Sequence, residues 1–324
     1  MVVTRLYFKI PDTGSSNSGG TSYTIDLAKC LSEHSRRLVR QKQVFTVYGG
    51  LYQDSSGSNA YISTAPHYWV TKRAVNRGFK AWRKQLSDAM SNQAELDSAN
   101  PLRTGKYSDF KVHLDSATNS TTLLSATDAS GQALPSGEWN YSTVTMPRPD
   151  MPAGSSPESW IQMSSDQFDM NIVGNHTSTG SANNGDLNYS RVGLIESWLD
   201  SRPIKDLNTD SPKENPETAT DPLTLMFYTG DSDEDVKIVE AINTENDTAP
   251  YDLDLLYGCG ASNGNSLGAN LQMQCIVSPD SNSGVATVAG FQAICGLIRI
   301  VVTGDTGSSG AALILDVESN GVSF

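Results

Sequence analysis

From residue 109 to its end the chain sustains a helical period in only one short place, and this limits its possible folds more than any other feature. Apolar residues come in runs of four to nine, at 110–114, 139–146, 167–173, 223–228, 236–239, 271–277, 285–293, 297–302 and 312–317. Leu271, Met273, Cys275 and Val277 alternate with mostly polar neighbours, the period-two mark of a half-buried strand. The exception is 192–199, a short helix for which Ser190 is a fitting cap. Strands and helices do not alternate, which disfavours a parallel α/β sheet. Many strands joined by long polar loops predict a mainly β protein, a β-sandwich of jelly-roll type. One jelly roll uses eight strands and leaves a surplus as extensions; the alternative is a double jelly roll. The expected organisation is a single domain over 1–324, with long loops within 176–268 facing outward.

The first third differs. Residues 6–10, 44–52 and 60–64 read as strands, but two helices are inserted among them. The first is expected near 24–40, capped by Thr24 or Asp26, with Leu27, Leu31 and Leu38 on one face. Arg36, Arg37 and Arg40 then fall in its last turns, where cations suit the helix dipole. The second runs near 66–90, with Pro66 tolerated in the first turn. Steps of 100° put Val75, Phe79, Trp82, Leu86 and Met90 on one side. Arg73, Arg77, Lys80 and Lys84 fall opposite, with Lys72 and Arg83 on the flanks. No acid lies between Asp54 and Asp88, whereas an ordinary solvated helix interleaves both signs.

Charge separates the same two parts. Residues 1–112 hold 16 of the 23 Lys and Arg but 8 of the 36 Asp and Glu, a formal +8. The remainder holds 7 bases against 28 acids, a formal −21. Such asymmetry speaks about partners rather than fold. Four cations a turn apart on one helical face can each meet a phosphate and release counterions, which gives salt-sensitive binding without sequence preference. Tyr68, Trp69 and Trp82 lie in the same segment, where an exposed ring can stack on an unpaired base. The nine candidate nucleic-acid contacts are thus Arg36, Arg37, Arg40, Lys72, Arg73, Arg77, Lys80, Arg83 and Lys84.

Catalytic chemistry is not indicated. His34, His67, His113 and His176 show no metal-binding spacing, and there is no nucleophile elbow or P-loop. Gly258–Gly264 misses the dinucleotide fingerprint by one residue. Asp231, Asp233 and Asp235 resemble the start of a calcium loop, but Val236 stands where the turn needs glycine and Ile242 where a glutamate is needed. A solvated acidic turn is the simpler reading. Cys30, Cys275 and Cys295 sit in apolar segments and read as small buried hydrophobes, with no disulfide or zinc pattern. The expectation is a non-enzyme without a cofactor. Nor is a membrane span expected, because the most apolar stretch, 285–302, is better explained as two adjacent strands. The N-terminus lacks the apolar core of a signal peptide.

The runs TIDLAKCLSEHSRRLVRQ, VFTVYGG, STAPHYWVTKRAVNRGFKAWRKQ and GKYSDFKVHL, within residues 22–115, resemble the major capsid proteins of small icosahedral single-stranded DNA viruses of environmental type. The resemblance implies a jelly roll, self-assembly of many copies into an icosahedral shell, a single-stranded DNA genome as partner, and a place in the virion after synthesis inside a host cell. One departure stands out. Many such proteins begin with an arginine-rich arm, whereas the first 35 residues here hold only Arg5, Lys9 and Lys29. Either the second helix takes that role on the shell interior, or genome contact is weak. The competing expectation is a non-enzymatic glycan-binding surface or fibre protein, with Trp139, Tyr141 and Trp160 as sugar-stacking rings. It gives no reason for six cations between Lys72 and Lys84.

Overall fold

The computed structural model describes residues 3–12, 20–96, 105–115, 122–128, 130–147, 165–178, 189–201, 271–280, 283–307 and 309–319. The chain divides into two compact units, 1–200 with 254–324 and 201–253, and all elements below belong to the first. The protein is mainly β.

Two five-stranded sheets carry the core. One is ordered β1 (Thr4–Ile10), β14 (Ala311–Ser319), β3 (Val44–Gln53), β11 (Val285–Val288), with β12 (Phe291–Ile294) also on β3. The other is ordered β10 (Gln272–Val277), β4 (Asn59–Thr64), β13 (Leu297–Thr303), β2 (Thr21–Asp26), β5 (Thr122–Leu124). The antiparallel pairs are nested: β1 with β14, β2 with β13, β3 with β11 and β12, β4 with β10. Along the chain the strands of this set alternate between the two sheets, except that β4 and β10 pair within one sheet and β11 and β12 both lie on β3 in the other.

Alternation explains which faces meet. Leu6, Phe8 and Ile10 of β1, Leu313, Leu315 and Val317 of β14, and Ile298, Ile300 and Val302 of β13 are buried in one apolar core. Each such side chain contributes about 1.5–3 kcal/mol by leaving water. In β3 the inward positions change from Phe45 and Val47 to Tyr52, because the register with β14 shifts between Asp316 and Val317. Tyr48 is the extra residue of this bulge; it is exposed, and its hydroxyl donates to Glu318. Gly50 is required there, since a Cβ would sit 2.0 Å from the Ile314 carbonyl oxygen. The run 285–293 is therefore two short strands. After β12 the chain turns into the opposite sheet through Cys295 (φ 57°) and Gly296 (φ 67°), a left-handed pair that favours glycine.

A second layer lies outside the sandwich core. Leu297 and Arg299 are buried but alternate away from Ile298 and Ile300. Arg299 Nη2 reaches Asp115 Oδ1 at 2.7 Å. Phe110, Val112 and Leu114 are buried in that layer, but 110–114 is not the expected strand. Its backbone groups are met by unlike partners: Val112 N donates to Gln41 Oε1 at 2.6 Å, Lys111 N to Ser142 Oγ at 2.9 Å, and only His113 forms a bridge, to Asn171. A four-stranded sheet follows in the order β6 (Thr143–Pro147), β7 (Ser165–Asn171), β9 (Tyr189–Gly193), β8 (Thr177–Ser178). The expected strand 139–146 is thus confined to its last part, and the expected helix appears as α3 (Leu194–Asp200). The expected strands 223–228 and 236–239 lie outside the described residues.

Candidate nucleic-acid interface

The first helix is shorter than its sequence suggests. Residues 21–26 form β2, and α1 spans Leu27–Ser35. Asp26 caps it, accepting from Ala28 N at 3.0 Å and Lys29 N at 3.2 Å. Ser32 and Ser35 hydroxyls bond back to carbonyls four residues earlier, and Arg36 ends the helix in the left-handed region at φ 54°. Arg36, Arg37 and Arg40 are exposed; Arg36 is the C-cap, at the negative end of the helix dipole, while Arg37 and Arg40 belong to the following loop.

Asp26 is also a hub. It is fully buried, and its second oxygen accepts from Gln41 Nε2 at 3.1 Å and Trp139 Nε1 at 3.0 Å. Burial pushes its carboxyl up to about 6, against the pull of these donors. Two of the aromatic residues assigned to sugar stacking are thereby accounted for. Trp139 is tied to Asp26 and carries Lys111 Nζ 4.7 Å above its ring, while Tyr141 stacks on buried His113 with centroids 3.9 Å apart. Trp160 lies outside the described residues.

The second helix, α2, spans Trp69–Leu96. Val70, Ala74, Val75 and Gly78 form its buried stripe. Gly78 permits the close approach of α3, because a Cβ there would meet Leu194 Cδ2 at 2.6 Å. Trp69 meets Trp198 edge to face at 5.2 Å, and Phe79 and Trp82 pack on Phe110 at 5.6 and 5.8 Å. These contacts orient the opposite side outward. Arg73, Arg77, Lys80, Arg83 and Lys84 are exposed and Lys72 is half-buried. Among the described residues none of the six forms an ion pair. Beyond Trp82 the helix has no fully buried position as far as Ser91.

Tertiary structure brings the loop and the helix together at Phe79. Arg37, Arg40, Lys42 and Phe79 line one hollow of about 340 Å³ with Asp109. Lys42 Nζ sits 4.5 Å from the Phe79 ring centre, and its pKa is lowered by burial, with Lys80 adding to the effect. Asp109 is held above its ordinary value by burial, while Arg40 and Lys111 pull it down. Two further cations, half-buried Lys42 and exposed Lys106, lie on this flank, while Lys111 is buried with its Nζ over the Trp139 ring. For Lys106 the signal was the lysine–aromatic mixture of GKYSDFK, which has no helical or strand period.

Comparison with protein families, curated proteins and solved structures found no match. The surface is therefore interpreted from its own chemistry. The acidic triplet Asp231, Asp233 and Asp235 lies outside the described residues, and among those described no group of three His, Cys, Asp or Glu is placed to hold a metal ion. No described helix is long and apolar enough to cross a membrane.

Proposed function

We propose that this chain is a shell-forming capsid subunit, built on a single jelly roll, whose α2 face and 36–42 loop hold a single-stranded DNA genome on the shell interior. The observation that carries the genome-binding part is the one-signed cationic face of α2, held outward by buried contacts and without ion pairs among the described residues. A surface helix of ordinary function would gain a few tenths of a kcal/mol per pair by interleaving acids, and this one does not.

The sandwich supports the shell part of the reading. A jelly roll wraps one long hairpin of eight strands into two sheets. Counting β11 and β12 as one interrupted strand, the pairs β1–β14, β2–β13, β3–β11/β12 and β4–β10 are the nested pairs such wrapping requires. The remaining described strands are β5 at one edge and the small mixed sheet, which favours one roll with extensions over two rolls. α1 then occupies the β2–β3 connection, and α2 begins the long β4–β10 connection.

The test is electron microscopy of the purified protein with and without single-stranded DNA, under a range of salt concentrations. Closed particles tens of nanometres across are expected. A chain that stays monomeric under every assembly condition overturns the shell reading.

A further inference from the structure

We propose that the turn 105–108 presents Tyr107 as a stacking platform for one unpaired base, with the flanking phosphates held by Arg36, Arg37 and Lys106. The proposal rests on the reading of the α2 face as a nucleic-acid surface and goes further, because it specifies single strands over duplex at a named subsite.

Tyr107 is 65% exposed, yet its turn is firmly tethered. Ser108 N closes the turn on the Gly105 carbonyl at 3.0 Å. Two residues on, Phe110 is clamped between Phe79 and Trp82 of α2. Next to it, Lys111 exchanges two backbone bonds with Ser142, through N to Oγ at 2.9 Å and from Ser142 N to the Lys111 carbonyl at 2.9 Å. A lone exposed aromatic needs no explanation. This one separates two hollows, of about 660 and 430 Å³, that share Tyr107, Lys111, Gly137 and Glu138 as lining. Trp82 and Asp109 wall the first, and Arg36 and Arg37, with Lys29 and Glu33, wall the second. Lys106 lines the first and places Nζ 5.6 Å from the Tyr107 ring centre. An accessible ring on a fixed turn, with cations on both sides, is the arrangement that accepts a base by its face and phosphates by charge. Duplex DNA keeps its bases stacked and offers the ring no free face.

The experiment measures anisotropy of a labelled oligo(dT) 20-mer, an abasic oligomer of equal length and a duplex, each with the full chain. Expected for Tyr107→Ala is a loss of roughly 5- to 100-fold on oligo(dT) with an unchanged salt slope. Tyr107→Trp restores affinity, and neither the abasic oligomer nor the duplex distinguishes the parent from Tyr107→Ala. Oligo(dT) affinity within twofold of the parent, or an equal loss on the abasic oligomer or duplex, overturns the subsite. In that event a chain with Arg73, Arg77, Lys80 and Lys84 changed to Glu still fails to bind if the α2 reading holds. Binding that survives that reversal overturns the α2 reading and the subsite with it.

Discussion

In the sandwich the decisive side chains are hidden, and in the basic flank they are displayed. Phe45, Ile298, Ile300 and Leu315 have no measurable exposure, and the neighbouring strands leave them one place to go. Along α2 the stripe Val70–Gly78 is buried in the same way, but from Arg83 to Ser91 no position is fully buried. Burial of apolar area stabilises the first region, while the second adds little stability and presents like charges that repel one another. A protein retains such a face at a cost in self-repulsion. The two regions should therefore answer differently to mutation, stability in one and binding in the other.

The largest effect expected is on binding alone. Changing Arg73, Arg77, Lys80 and Lys84 to Glu should abolish association with oligo(dT), measured by anisotropy, and leave the urea midpoint nearly unchanged. The parent should show a log-affinity against log-salt slope of about −3 to −4, as four to six neutralised phosphates require. A comparable loss of stability in the variant would break the division drawn here.

Next comes the junction between the layers. Asp115→Ala strands the fully buried Arg299 guanidinium without its 2.7 Å partner and should cost about 3–5 kcal/mol in urea unfolding. Oligo(dT) affinity should hold wherever the variant remains folded.

Smaller is the pH dependence of the Asp26 hub. Its folded pKa, about 6, lies above the ordinary carboxylate value of 3.8, so between those limits the folded chain binds a proton that the unfolded chain has lost. Asp26 therefore adds stability as pH falls from about 6 towards 4, and that gain is lost as pH rises. Asp26→Asn lacks the gain, so the gap between parent and variant should widen by about 2–3 kcal/mol from pH 7 to pH 4, read from urea midpoints. The smallest effect belongs to the rim of the sandwich. Arg5 makes a bidentate contact with Asp316 at 2.7 and 2.8 Å but is exposed, and Arg5→Ala should leave the thermal midpoint almost where it was.

Much of the fold was legible, and the failures share a cause. The runs 6–10, 44–52, 60–64, 271–277, 297–302 and 312–317 coincide with β1, β3, β4, β10, β13 and β14, since alternation in these segments reports directly on one buried face. Thr21–Asp26 was mistaken for the approach to a helix. Its strand pairs on both sides, with β13 and β5, and both partners lie about 100 residues or more away. At 110–114 the pattern gave the correct buried residues, Phe110, Val112 and Leu114, but the wrong element. Backbone partners decide a strand, and here Lys111 N and Val112 N go to the Ser142 and Gln41 side chains, which leaves a single bridge at His113. Among the candidate contacts, the α2 cations were readable from helical spacing, while Lys42, Lys106 and Tyr107 were not. They lie in irregular backbone, where no period orders the residues.

By itself the sequence determined the β-rich character, the two basic segments and the one-sided face of α2, because each follows from local spacing and charge. Only the tertiary structure decided that α1 stops at Ser35, that Phe79 is where the 36–42 loop meets α2, and that Tyr107 lines two hollows, one with Lys106 and one with Arg36 and Arg37. Those facts depend on contacts between segments far apart in the chain. No period within a single segment encodes which distant surface will close against it.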